Sequence, residues 1–232
     1  MNRKRPSTSQ CFKAIVNPEI YRNFGIHIFV MFPAAMLMCL LASLLDQKMG
    51  FSPFGDDIWR VLLGLSLISI GGLWVWFVYG YLFLVGEGSP GTHIDGGPIR
   101  LVDTGPYSAM RHPSVLGKVL GVTGLGIAWG STIFLLVFLP ILLLYSYVSN
   151  RLIQERFCLE RFGKSYSQYC LKVPMFIPNI EGIQRWKNGK PVLESITQTE
   201  ISVQPPGVWK EFRWYLLGLL GLLSLFGIFL WL

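Results

Sequence analysis

Residues 114–150 read SVLGKVLGVTGLGIAWGSTIFLLVFLPILLLYSYVSN, 37 positions in which Lys118 carries the only formal charge. One helix needs about 20 apolar residues to cross a hydrocarbon core, so this run is long enough for two short passes. Gly130-Ser131 divides it near its middle and supplies the reversal, so a helical hairpin is expected. Lys118 lies about a turn inside the first of these helices, where its ammonium must either snorkel to the surface or meet an anion.

The passage before the hairpin is Gly105-Pro106-Tyr107-Ser108-Ala109-Met110-Arg111-His112-Pro113-Ser114. Gly105-Pro106 breaks the backbone, and Pro113 biases His112 toward an extended conformation, which puts Arg111 and His112 at the mouth of the following helix. A helix start offers unpaired N–H groups and partial positive charge, and Arg111 adds a full charge on a planar donor fork. An anion suits that place, either lipid phosphate or a bound small molecule. Beyond the hairpin, Arg151 and Glu155 stand four apart, as do Asn150 and Gln154, in a segment expected to be a helix leaving the membrane and stopping near Phe162-Gly163.

Further out, Phe24–Leu45 is an uncharged run of 22 residues containing Pro33, and Trp59–Val85 is a second apolar run with Gly71-Gly72 near its centre. Both are long enough to span, with the glycines expected to allow close helix contact. Trp74, Trp76, Tyr79 and Tyr81 gather in the inner half of the second run and are expected to pack. Residues 1–23 carry Arg3, Lys4, Arg5, Lys13 and Arg22 against Glu19, so that basic tail is expected on the cytoplasmic side. Asp46, Asp56 and Asp57 against Lys48 suit an outer loop. Residues 24–178 then form one membrane domain, 179–208 a polar linker and 209–232 a C-terminal membrane helix. The architecture expected is all-α: a polytopic integral membrane helical bundle of about five membrane helices, with a pocket facing the cytosol.

Composition supports the membrane reading: 14% of residues are charged, 52% are hydrophobic, and the mean hydropathy is +0.47. The net charge of +7 is spread around apolar runs rather than gathered on a basic face with interleaved aromatics, so lipid headgroups rather than nucleic acid are the expected counterions. Cys11, Cys39, Cys158 and Cys170 form no CxxC pattern and are expected to be reduced and structural, with no metal site. The glycines between Gly86 and Pro98 match neither GxGxxG nor GxxxxGK[ST], which excludes a nucleoside triphosphate loop.

Leu101-Val102-Asp103-Thr104-Gly105-Pro106-Tyr107, then Arg111-His112-Pro113-Ser114, the hairpin, Gln154-Glu155, Phe162-Gly163, Tyr166, Tyr169 and Val173-Pro174 together resemble the isoprenylcysteine carboxyl methyltransferase family and its bacterial and phospholipid-methyltransferase relatives. The resemblance covers about residues 86–178. It implies an integral membrane enzyme that binds S-adenosyl-L-methionine from the cytosolic side and methylates a lipophilic acceptor: a prenylcysteine carboxylate, a lipid amine or a hydrophobic thiol. It places Leu101, Val102, Tyr107, His112, Pro113, Ser114, Val115, Gln154 and Glu155 on the cofactor. Gln154 stands where the family has a first glutamate, and Asn150 where it has an arginine that orients an acceptor carboxylate. Arg111 and Arg151 are therefore the candidate catalytic residues. Alternatives are a membrane sterol-type reductase using NADPH and a catalytically silent scaffold of the same fold. The membrane is expected to be a bacterial inner membrane or the endoplasmic reticulum.

Overall fold

The structure is a computed structural model that describes residues 6–14, 18–51, 57–87 and 98–193, with side chains described for all of these but 18–32 and 153. The expectations for Arg3, Lys4, Arg5, Gly88–Gly97, the later part of the polar linker and the C-terminal helix fall outside the described residues.

Among the described residues the fold is all-helical: α1 (Thr8–Ala14), α2 (Pro18–Met49), α3 (Ile58–Gly86), a 3-10 turn (Gly105–Ser108), α4 (Pro113–Trp129), α5 (Leu139–Ser149), α6 (Glu155–Lys172) and α7 (Ile180–Lys187). Two π-helical turns, Phe134–Phe138 and Asn150–Gln154, flank α5. Two described segments, Ile58–Gly86 and Phe134–Leu152, are long and apolar enough to cross a membrane, while α4 is apolar but shorter. Pro33 lies inside α2.

The hairpin reverses at the expected place. Gly130 closes α4 in the left-handed region at φ 81°, its N–H bonded to the carbonyls of Gly126 and Ile127, a conformation that glycine adopts without steric cost. Ser131 then opens the return helix, its Oγ accepting from the Phe134 N–H. Pro140 sits in the first turn of α5 and has no N–H for the preceding turn, consistent with the wider π geometry just before it.

Asp46 differs from its expected place in an outer loop. It belongs to the last turn of α2 and is buried, accepting from Ser131 Oγ at 2.6 Å and the Ile133 N–H at 3.0 Å. Its carboxylate thereby ties α2 to the start of the return helix, where orphan N–H groups favour an anion. Met38, Cys39, Ala42, Leu45, Phe134 and Phe138 pack around this junction.

Helices α3 and α4 run antiparallel along a glycine seam. A Cβ on Gly64 would come within 2.5 Å of the Gly124 carbonyl, and one on Gly117 within 2.6 Å of the Gly71 carbonyl. Gly72 meets nothing within 4 Å, so only one of the adjacent glycines serves the contact.

The expected stop at Phe162-Gly163 is present as a break: Gly163, at φ 51° and ψ −126°, is non-helical and divides α6 into two helical stretches, the second running to Lys172. One segment departs from the sequence expectation beyond the hairpin: residues 180–187, at the start of the expected polar linker, form α7. Asn179 caps it by accepting from the Gly182 N–H at 2.8 Å, Gly182 lies against the Ser108 carbonyl, and Trp186 packs on Trp74 and Phe77 of α3.

Candidate cofactor pocket

A cavity of about 100 Å³ lies between the C-terminal end of α3, the 98–114 passage, the start of α4 and α6. Of the residues expected on a cofactor, Leu101, Val102, Tyr107, His112, Pro113, Ser114 and Gln154 line it, and so does Arg111. Val115, Glu155 and Arg151 are not part of the lining. Val115 is buried on another side of α4, Glu155 is buried just behind the wall, and the Arg151 side chain is half-exposed.

The passage is fixed from three sides. Tyr81 OH and Thr104 Oγ1 share a hydrogen bond of 2.9 Å, and Gly105, at φ 60°, lies so close to the Tyr81 ring that no side chain fits there. Tyr169 OH donates to the Tyr107 carbonyl at 2.6 Å, while Ser108 Oγ donates to the carbonyls of Gly105 and Gly182. The N–H groups of Arg111 and His112 donate to the carbonyls of Pro174 and Met175, and Trp74 Nε1 donates to the Pro113 carbonyl at 2.7 Å. His112 is the residue before α4, with Pro113 in the first helical position, as the sequence implies.

Glu155 organises the charge. Arg111 Nη1 lies 2.5 Å from its Oε1, Arg151 Nη1 2.6 Å from its Oε2, and His112 Nε2 3.4 Å from Oε1. Arg111 also donates to Cys170 Sγ at 3.1 Å. Burial alone would raise the Glu155 pKa, but the nearby His112, the hydrogen bond from Arg151 and the charge of Arg111 outweigh it and hold the carboxyl below its ordinary value. Burial lowers the His112 pKa against the pull of Glu155, which leaves the imidazole neutral at pH 7. Asn150 is turned away from this cluster, its Nδ2 donating to the Ser146 carbonyl at 2.6 Å.

The remaining lining is largely aromatic, and sequence reasoning did not single it out as binding surface. Cys158 and Phe162 precede the Gly163 break in α6 and Tyr166 and Tyr169 follow it, and both parts contribute to the cavity wall. Tyr79 and Leu82 come from one face of α3, and Ser114 and Lys118 from one face of α4. These spacings were legible, but which face looked inward was not. Lys118 lies over the Tyr79 ring, 5.9 Å from its centroid. Burial pushes the Cys158 thiol up to about 12, so it lines the cavity as an apolar group. Among the described residues all four cysteines are free thiols, and no group of three or more potential metal ligands occurs.

A helical hairpin entered through Arg-His-Pro, a kinked aromatic helix returning beside it, and a pocket with cationic residues between them define an apolar, all-helical protein of membrane type among the described residues. Residues 59–165 match the phospholipid methyltransferase family, and the chain is similar to the isoprenylcysteine methyltransferases, as its motifs imply. It is 37% identical over 81 residues to the protein-S-isoprenylcysteine O-methyltransferase of Schizosaccharomyces pombe, covering 34% of each chain. It is 36% identical over 81 residues to that of Saccharomyces cerevisiae, covering 34% of this chain and 33% of the other. The nickel-cobalt-cadmium resistance protein NccN of Alcaligenes xylosoxydans xylosoxydans is 29% identical over 133 residues, 54% of each chain. The matched region thus spans about half of the length of NccN and a third of that of the methyltransferases. No solved structure matches the chain.

Proposed function

We propose that this protein is a multi-pass membrane methyltransferase that uses S-adenosyl-L-methionine and acts on a lipophilic acceptor, with its N-terminus and pocket on the cytoplasmic side. The observation that carries this reading is the convergence of the Arg111–Ser114 passage, Lys118, Gln154 and the aromatic face of α6 on one cavity.

The donor set fits the cofactor. Its carboxylate needs cations, which Arg111 and Lys118 on the cavity wall supply. Arg111 Nε is buried with no hydrogen-bond partner among the described residues, which favours an added acceptor. Gln154 offers a carbonyl and an amide for the ammonium or the adenine edge, and Tyr79, Tyr107, Phe162 and Tyr166 give flat walls for the ring. Glu155 is committed to Arg111, His112 and Arg151, so it positions the cation wall from behind. Arg151 acts through Glu155 in the same way.

When bound, the cofactor supplies an electrophilic methyl group on a sulfonium whose departure as a thioether needs no proton. The residues here have to hold donor and acceptor in line and exclude water, which can account for much of the acceleration. The match to the isoprenylcysteine and phospholipid families supports a lipid-like acceptor entering from the bilayer side. Five membrane helices, the 24–178 domain and a spanning C-terminal helix belong to the same proposal.

The test is equilibrium binding of S-adenosyl-L-methionine to the detergent-purified full chain, with reduced nicotinamide as control ligand. Saturable binding is expected, weakened roughly threefold to tenfold by Gln154→Ala, the loss of about one net hydrogen bond. No binding by a protein with intact helical content overturns the reading.

A further inference from the structure

The three most exposed large apolar side chains among the described residues lie outside both segments able to cross a membrane. Leu171 is 88% exposed, Ile177 80% and Ile180 76%, more than Leu136 (72%), Leu144 or Leu152 (both 64%) on the Phe134–Leu152 segment. They flank one reversal, because Asn179 Nδ2 donates to the Lys172 carbonyl and brings the end of α6 beside the start of α7. A water-facing turn has no reason to display three aliphatic side chains so fully.

The reversal sits at the level where the apolar helices end. Phe176 packs edge-on against Tyr147, five residues before the end of the Phe134–Leu152 segment, with ring centroids 6.1 Å apart, and its ring lies 5.8 Å from that of His112 at the start of α4. The exposed turn is therefore continuous with the apolar flank of that segment. Next to Leu171 stands the exposed Lys172, which suits a phosphate headgroup, while Glu181 beside Ile180 is neutralised by Arg185 at 2.8 Å.

We infer that the Leu171–Ile180 reversal is an interfacial anchor, with Leu171, Ile177 and Ile180 inserted among the headgroups and upper acyl chains of the protein's own bilayer and Lys172 on its phosphates. The inference rests on the membrane reading of the chain and needs no cofactor or methyl transfer. Its consequence for the site is direct. The Pro174 and Met175 carbonyls hold the N–H groups of Arg111 and His112, so the anchor fixes the cationic wall of the pocket at headgroup depth. A lipophilic acceptor with its tail in the bilayer would present its polar end there.

The test places a cysteine at the turn in the full chain, Ile177→Cys, labels it with bimane and reconstitutes it in nanodiscs containing anionic phospholipid. Leu144→Cys serves as the acyl-chain reference and Asn188→Cys as the water reference, with the labelled parent subtracted for the native thiols. Ile177 is exposed and makes no core contact, so the variant should fold, as circular dichroism would verify. Quenching by a lipid nitroxide carried near the top of the acyl chain, several-fold stronger than at Asn188→Cys and with loss of quenching by aqueous iodide, is the expected result. Iodide quenching equal to that at Asn188→Cys overturns the anchor. Protection from both quenchers overturns it as well, because protein would then cover the turn. S-adenosyl-L-methionine binding on the same sample fails or succeeds independently.

Discussion

At the scale of single residues, Glu155 decides how the pocket wall holds together. Removing one member of a buried ion pair leaves the other charge uncompensated, typically a loss of about 3–5 kcal/mol. Glu155→Ala should therefore lower the unfolding midpoint markedly, because Arg111 is left buried without its partner. Glu155→Gln, which keeps the shape and one carbonyl acceptor, should cost less; thermal unfolding followed by circular dichroism separates the two. The same cluster sets a pH dependence. The folded His112 pKa lies below 6.5, so the unfolded chain takes up the proton first as pH falls. Its contribution is complete above 6.5 and is lost as pH falls through the lowered folded value. Glu155, held below 4.5, adds a second loss in the same direction at lower pH. The midpoint should fall between neutral pH and about 5, the range in which histidine titrates, and His112→Gln should flatten that slope. The sequence singled out Arg111, His112 and Glu155 through helix-mouth chemistry and the family pattern. The i,i+4 spacing marked the Arg151–Glu155 pair, but not that Arg111 and His112 hold the same carboxylate away from the cavity, because those two partners come from another part of the chain.

At the scale of elements, the α3–α4 seam separates two adjacent glycines that look equivalent in the chain. A side chain at Gly71 meets the Gly117 backbone and Gly121, whereas one at Gly72 meets nothing. Gly71→Leu should force the helices apart, at about 1–3 kcal/mol for overpacking. Gly72→Leu should be neutral or mildly stabilising, since leucine is the better helix former by roughly 0.5–1 kcal/mol. Denaturation in detergent should rank them in that order, and equal effects would sink the seam. Helix α7 makes the same point in reverse. Its local signals were legible, with Ile180, Ile183 and Trp186 three apart, Asn179 as the cap, Glu181 in the first turn and Arg185 and Lys187 in the last, but its docking was not: Gly182 approaches Ser108 and Trp186 finds the Trp74–Phe77 surface. Neither neighbour is within reach of a reading confined to a local window.

At the scale of the whole molecule, Asp46 joins α2 to the hairpin across 85 residues of chain, through Ser131 Oγ and the Ile133 N–H. Hydrogen bonds to a charged group are worth about 1.5–3 kcal/mol each. Asp46→Ala should therefore destabilise the fold by a few kcal/mol, with accelerated hydrogen exchange at residues 131–134 and an unchanged rate around the 105–112 passage. Change confined to the pocket instead would contradict this role. The sequence by itself determined the all-helical class, the place of the reversal at Gly130-Ser131 and the Arg-His-Pro mouth of α4. Each depends on local facts: the length of an apolar run, the φ freedom of glycine and the missing N–H of proline. Only the tertiary structure decided that Asp46 is a buried cap, that α7 docks on Ser108 and the Trp74–Phe77 surface, and that Glu155 stands behind the pocket. In each case the outcome depends on what lies opposite the residue, and a hydrogen bond, close approach or buried charge gains its free energy from a partner distant in the chain.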